Sequence, residues 1–123
     1  MDNEVNNVES ILESIKKMLG LLKDYTAFDT DIIIHINSVF TILTQLGVGP
    51  KEGFKITGYD ETWSDFTNDK LIIEDVKTYM YLKVRLLFDP PLNNSVLEST
   101  KQLISEFEFR LNITEKEEDS QNE

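Results

Sequence analysis

The segment from Asp69 to Phe88 constrains this chain more than any other. On a helical wheel its residues Leu71, Ile72, Ile73, Val76, Tyr79, Met80, Leu82, Val84, Leu86 and Leu87 fill an arc wider than half the circumference. The spacing predicts a helix about 30 Å long that has to be covered on more than one side. In a chain of 123 residues, a one-domain length, the other helices can supply that cover, and a central helix in a bundle is the plain reading. Lys83 and Asp75 also fall inside the apolar arc. A buried, unpaired ammonium is costly, so Lys83 is expected either to snorkel at an edge or to meet a carboxylate, with a neighbouring subunit as one source.

Three further helices are expected around it. Val8, Ile11, Leu12, Ile15, Met18, Leu19 and Leu22 have the three-four spacing of an amphipathic helix, with Ser10 and Glu13 at capping-box spacing and Asn6 or Asn7 as alternative caps. The connection Asp24–Asp31 offers Asp29 or Thr30 as the cap of a second helix, about Asp31 to Leu46, which Gly47 and Pro50 terminate. Ile32, Ile36, Val39, Phe40, Leu43 and Leu46 form its apolar arc; Asn37, Ser38, Thr41, Thr44 and Gln45 form an opposite face with no charge. An uncharged polar stripe on an acidic protein suggests packing against another subunit, with a solvated Thr/Ser/Asn face as the alternative. Asp89-Pro90-Pro91 stops the central helix, since proline disfavours helical geometry before it and supplies no N–H. A last helix follows, with Ser95 and Glu98 as a second capping box and Leu97, Ile104, Phe107 and Leu111 as its stripe.

Between the second and central helices, residues 47–67 break the pattern with Gly47, Gly49, Gly53, Gly58 and Pro50. A short strand or hairpin is expected near Phe54–Thr57, then a helical turn at Trp63–Phe66 capped by Thr62. Loops of this length are commonly functional. Phe54, Trp63 and Phe66 are read either as partner contacts or as a lid on the helical core. The fold class is therefore mainly α: a small four-helix, bundle-like domain with a long irregular loop. Residues 1–9 are expected to be an N-terminal extension, residues 10–113 the helical domain, and residues 114–123, which hold no apolar side chain, a disordered acidic tail.

Net charge is −11, yet the two termini carry seven of those charges, so acidity is not concentrated on a folded face. The excess disfavours binding to phosphates or to anionic membranes, and no Lys/Arg cluster offsets it. The nineteen residues Ile32–Pro50 hold no Asp, Glu, Lys or Arg, but His35, Asn37 and Gln45 are poor occupants of hydrocarbon, so no membrane span is expected. The start MDNEVNNVES lacks the basic-then-apolar signature of a secretion signal. With no cysteine and one histidine, thiolate and multi-histidine metal sites are excluded. His35 with Asp31 one turn earlier is a weak acid–base signal with no nucleophile placed beside it. Asp60, Glu61, Asp65 and Asp69 lack the glycine and terminal glutamate of a calcium loop. No catalytic residue, metal or cofactor is expected, and the chain is read as a non-enzyme.

The block AFDTDIIIHINSVFTILTQLGVGP (Ala27–Pro50), then KTYMYLKVRLLFDPP (Lys77–Pro91) and SVLESTKQLISEFEFRL (Ser95–Leu111), resembles the head–tail connector, or head-completion adaptor, proteins of long-tailed bacteriophages and prophages. The resemblance rests on order and spacing from Ser10 to Leu111. It implies a helical subunit of the virion, present in the host cytoplasm before assembly. Such subunits form a homo-oligomeric ring of about twelve beneath the portal protein, where the ring docks the stopper or tail-completion protein. On that expectation Asn37, Thr41 and Lys83 lie between subunits, and Phe54, Trp63, Phe66, Phe109 and Ile113 make axial or loop contacts. The competing reading is a small acidic regulator that binds a basic host protein.

Overall fold

A computed structural model describes residues 8–122, with side chains through Ile113. Five helices occur in the order α1 (Ile11–Met18), α2 (Asp29–Gln45), α3 (Trp63–Phe66), α4 (Lys70–Phe88) and α5 (Asn94–Asn122). The long apolar helix α4 is the hub: it packs against α2, α5 and α1, and α2 also touches α1. Its buried side chains are Ile73, Val76, Tyr79, Met80 and Val84. They meet Ile32, Ile36, Val39, Phe40 and Leu43 of α2, Ile11, Leu12 and Ile15 of α1, and Ile104, Phe107 and Leu111 of α5 in one core.

Local chemistry explains most of the boundaries. Ser10 Oγ accepts from the Glu13 amide at 3.2 Å and caps α1. At the other end of α1, the Gly20 amide donates to Lys17 O at 3.0 Å and the Leu21 amide to Lys16 O at 2.8 Å. This is a Schellman closure, with Gly20 at φ +82°. The helix therefore stops before Leu22, and Val8, Met18 and Leu22, expected on its buried stripe, are exposed. The same closure ends α2: Gly47 donates to Thr44 O and Val48 to Leu43 O. Asp69 Oδ1 accepts from the amides of Leu71 and Ile72 and caps α4. Thr62 and Asp65 form the full reciprocal box at α3.

Two expected caps are replaced. Phe28 stands at the N-cap of α2 without a side-chain bond, because the Asp29 carboxylate is engaged in an ion pair with Lys16 at 2.8 Å. At α5 the cap is Asn93, whose Oδ1 accepts from Ser95 and Val96, and this leaves Ser95 inside the helix. Helix α5 runs on to Asn122, through most of the residues 114–123 expected as a disordered acidic tail. An established helix adds residues without a new nucleation cost, and Glu and Lys are good helix formers. Residues 1–7, most of the expected N-terminal extension, lie outside the described residues, as does Glu123.

No strand forms among the described residues. The sole pairing among them is an isolated antiparallel bridge, Ser10 to Thr62, beside which the Ile11 amide donates to Glu61 O at 2.9 Å. The short strand or hairpin expected near Phe54–Thr57 is instead an irregular strap. Its alternation is real, with Ile56 buried and Lys55 and Thr57 exposed, but no second strand lies alongside. The loop is closed by an aromatic triangle of Phe40, Phe54 and Phe66, with ring centroids 5.1–5.6 Å apart.

Gly49 sits at φ +86°, and a Cβ there would run into the Phe66 ring. Gly49→Ala should therefore destabilise the protein by about 2–4 kcal/mol through left-handed strain plus overpacking. The check is urea unfolding followed by the fluorescence of Trp63, the sole tryptophan; a change below about 0.5 kcal/mol, the size of a neutral surface substitution, would refute the account.

Candidate interaction surface

The residues expected at contacts divide into those used inside the subunit and those left on its surface. Asn37 is on the inside. Its Nδ2 donates to Ile56 O at 3.0 Å and its Oδ1 accepts from Ile56 N at 2.8 Å. The half-buried side-chain amide thus takes the place of a neighbouring strand and pins the strap to α2, a use within the chain that the expectation of a subunit contact did not include. Trp63 is fully buried and Phe66 nearly so, so neither presents a ring to a partner. They lid the core, and Lys77 Nζ stands 5.9 Å above the Trp63 ring centroid.

Thr41 and Phe54 do come together. They line an open groove of about 400 Å³ with Thr44, Gln45, Glu52, Gly53 and Lys55. Thr41 is exposed, with its hydroxyl donating to Asn37 O at 3.2 Å; one side of Phe54 faces the groove while its ring packs in the triangle. Lys83 is half-buried with no salt-bridge partner among the described residues. Ile113 is half-buried on α5, and Phe109, 66% exposed, stands on its outer side. A second concavity of about 470 Å³ lies beside Phe109, bordered by Ser105, Glu106 and Arg110.

Larger uncovered groups lie where no individual residue was singled out. The over-wide arc of α4 is only partly covered: Leu71 is 84% and Leu87 53% exposed, and Leu92 in the following turn is fully exposed. Val96 and Leu103 add open apolar surface on α5, and Ile34 does so on α2. A further platform is built from three rings, with Phe28 5.7 Å from Tyr25 and 5.3 Å from Phe88, all edge-on. The arc of α4 was the sequence signal for Leu71 and Leu87; the ring platform has none, since its members come from separate segments.

The electrostatics of the subunit reside in three buried or part-buried groups. Lys16, 1% exposed on α1, has no sequence signal except its position on the apolar side. Burial pushes its pKa down, but the hydrogen bonds and charge from Asp29 and Tyr59 outweigh that and leave it above the ordinary lysine value. Burial pushes the Tyr79 phenol up, and its 2.7 Å bond to Glu108 Oε2 pushes it further. Glu61 is pushed up by burial, but hydrogen bonds from the Thr57 hydroxyl and from backbone amides bring it below the usual glutamate range. His35 is half-buried, and no group of three or more metal-ligating side chains occurs among the described residues. No helix among them is long and apolar enough to cross a membrane.

The fold thus defines a small helical domain whose buried polar clusters tie its own segments together and whose surface, among the described residues, leaves several apolar side chains uncovered. A family model described as phage connector protein matches residues 11–118, nearly the whole chain, and the protein belongs to that family. It is a phage virion component that acts through contacts with other virion components. No curated protein and no solved structure matches the chain.

Two outcomes are expected. Asn37→Ala leaves the N–H and C=O of Ile56 unpaired and should cost about 2–4 kcal/mol, read as a fall in the urea midpoint and as faster amide exchange across the strap. Stability should also fall at both pH extremes. Lys16 and Tyr79 have raised folded-state values, so their contributions are complete below about pH 10 and decline as pH rises beyond it. Glu61 has a lowered value, so its contribution declines as pH falls below about 4.5. Tyr79→Phe should flatten part of the alkaline limb in a thermal-melting series, and an unchanged limb would contradict the assignment.

Proposed function

We propose that this protein is the head–tail connector subunit itself: a non-catalytic adaptor that forms a ring under the portal protein and docks the stopper or tail-completion protein. The observation that carries this reading is the set of uncovered apolar side chains on α4 and in the turn after it, Leu71, Leu87 and Leu92, in a chain of the connector family. Apolar side chains this exposed are the kind of surface a subunit interface removes from water. A ring requires a heterologous contact, in which one patch meets a different patch on the next copy. The exposed apolar positions of α4 and the Phe109 side of α5 offer different surfaces for such a contact. The groove at Thr41 and Phe54, uncharged except at Glu52 and Lys55, suits an axial partner that brings hydrogen-bonding backbone rather than charge. The open surfaces favour this reading over a charge-mimicking regulator, for which a concentrated acidic face would be needed.

The test is assembly with the cognate portal protein. Wild-type chain should bind purified portal rings in a fixed multiple of subunits, measured by native mass spectrometry. The triple variant Leu71→Gln, Leu87→Gln, Phe109→Gln replaces exposed side chains, so its unfolding midpoint should stay close to wild type while ring occupancy falls by about tenfold or more. Failure of the wild type to bind portal, or unimpaired assembly by the triple variant, would overturn the proposal. Removing residues 115–123 separates the alternatives further: an acidic regulator loses its salt-sensitive binding to a basic partner, whereas a ring subunit keeps its contacts.

A further inference from the structure

We infer that Lys16 is a latch that couples two surface loops, so that the connection between α1 and α2 and the loop between α2 and α3 open and close as one unit. This goes beyond the assembly reading and does not depend on it. The ammonium has three N–H donors. Around it stand Lys23 O at 2.9 Å, Tyr25 O at 2.8 Å, Tyr59 Oη at 2.8 Å and Asp29 Oδ1 at 2.8 Å. The first two acceptors belong to the α1–α2 connection, the third to the α2–α3 loop, and the fourth to the first turn of α2. The circuit is closed by the Tyr59 hydroxyl, whose one proton has Asp29 Oδ2 at 2.8 Å, with Lys23 O at 3.2 Å as a second acceptor.

Outside this site the α1–α2 connection is tied to the body by the edge contact of Phe28 with Phe88, by an exposed Lys23–Glu13 ion pair at 3.6 Å and by Lys23 Nζ 5.8 Å from the Tyr59 ring centroid. Its backbone hydrogen bonds are local, Gly20 to Lys17, Leu21 to Lys16, Tyr25 to Leu22 and Asp29 to Thr26, and Leu22, Tyr25 and Phe28 all remain exposed. Apolar burial, the usual means of fixing a loop, is thus supplied mainly by Leu19 and Leu21, which pack partly against the core. Lys16 holds the Lys23 and Tyr25 carbonyls, and the Tyr59 hydroxyl, more than thirty residues further along, is bonded both to Lys16 and to Lys23 O. Releasing Tyr59 leaves three acceptors for the three Lys16 N–H groups but takes a donor from Asp29 Oδ2 and from Lys23 O, so the carboxylate that holds Lys16 in place loses a partner and the first loop loosens with the second. The device would set the position of the Tyr25–Phe28 edge of the ring platform according to the state of the α2–α3 loop.

Hydrogen exchange on the full chain, resolved by mass spectrometry, tests this. Tyr59→Phe keeps the ring and removes the hydroxyl. Exchange should accelerate by about tenfold, the scale of one lost hydrogen bond to a charged group, at amides 57–61 and also at amides 21–26, with amides 76–84 of α4 unchanged. Lys16→Met should produce the same paired response at a larger amplitude. If Lys16→Met does not fold, Tyr59→Phe alone decides the matter. Acceleration confined to residues 57–61 in Tyr59→Phe, or equal acceleration throughout α4, would overturn the coupling.

Discussion

Burial of the Ile73–Val84 side of α4 is the constraint on which the rest of this molecule depends. A helix with an apolar arc wider than half its circumference cannot be satisfied by one neighbour, and here α2, α1 and α5 each take a sector of it. Their own boundaries follow from that requirement. Glycine closures stop α1 and α2 where the core ends, and Asp89-Pro90-Pro91 turns the chain so that α5 can return along α4. The apolar positions of α4 that these three leave open, Leu71 and Leu87, with Leu92 in the following turn, are the same property seen from outside.

Polar groups decide what apolar packing leaves degenerate. Nothing in the hydrophobic pattern says where the strap at Ile56 should lie, and the Asn37 amide settles it by replacing a missing strand with two hydrogen bonds to one peptide unit. Tyr79 and Glu108 join α4 to α5 in the same manner. Lys16 gathers carbonyls, a phenol and a carboxylate from three segments. Such groups are expensive to bury unless every partner is present, and that expense penalises alternative arrangements more than it stabilises this one. The loops of this protein are therefore defined features.

The candidate surface was legible in part, and the physical division is clear. Exposed positions on regular helices could be read from the wheel, and Thr41 and Phe109 do reach the surface. Asn37 sits on the same helical face as Thr41, but what an amide does depends on what lies opposite it, and the strap came from nineteen residues away in sequence. Trp63 and Phe66 belong to a loop, where no periodicity separates a lid from a contact. The ring platform of Tyr25, Phe28 and Phe88 was not visible at all, because it exists only where two chain segments meet.

The sequence by itself determined the helices, their order, most of their ends and the excess of apolar surface on α4, because three-four spacing, glycine, proline and capping residues act over a few neighbouring positions. Only the tertiary structure decided that residues 54–57 form a strap without a partner strand, that Asp29 pairs with Lys16 instead of capping α2, and that Asn37 faces inward. Each of these is a choice between partners far apart along the chain. Local pattern carries no information about such distances, whereas a buried charge or amide is stable in one arrangement only, the one that brings all its partners together.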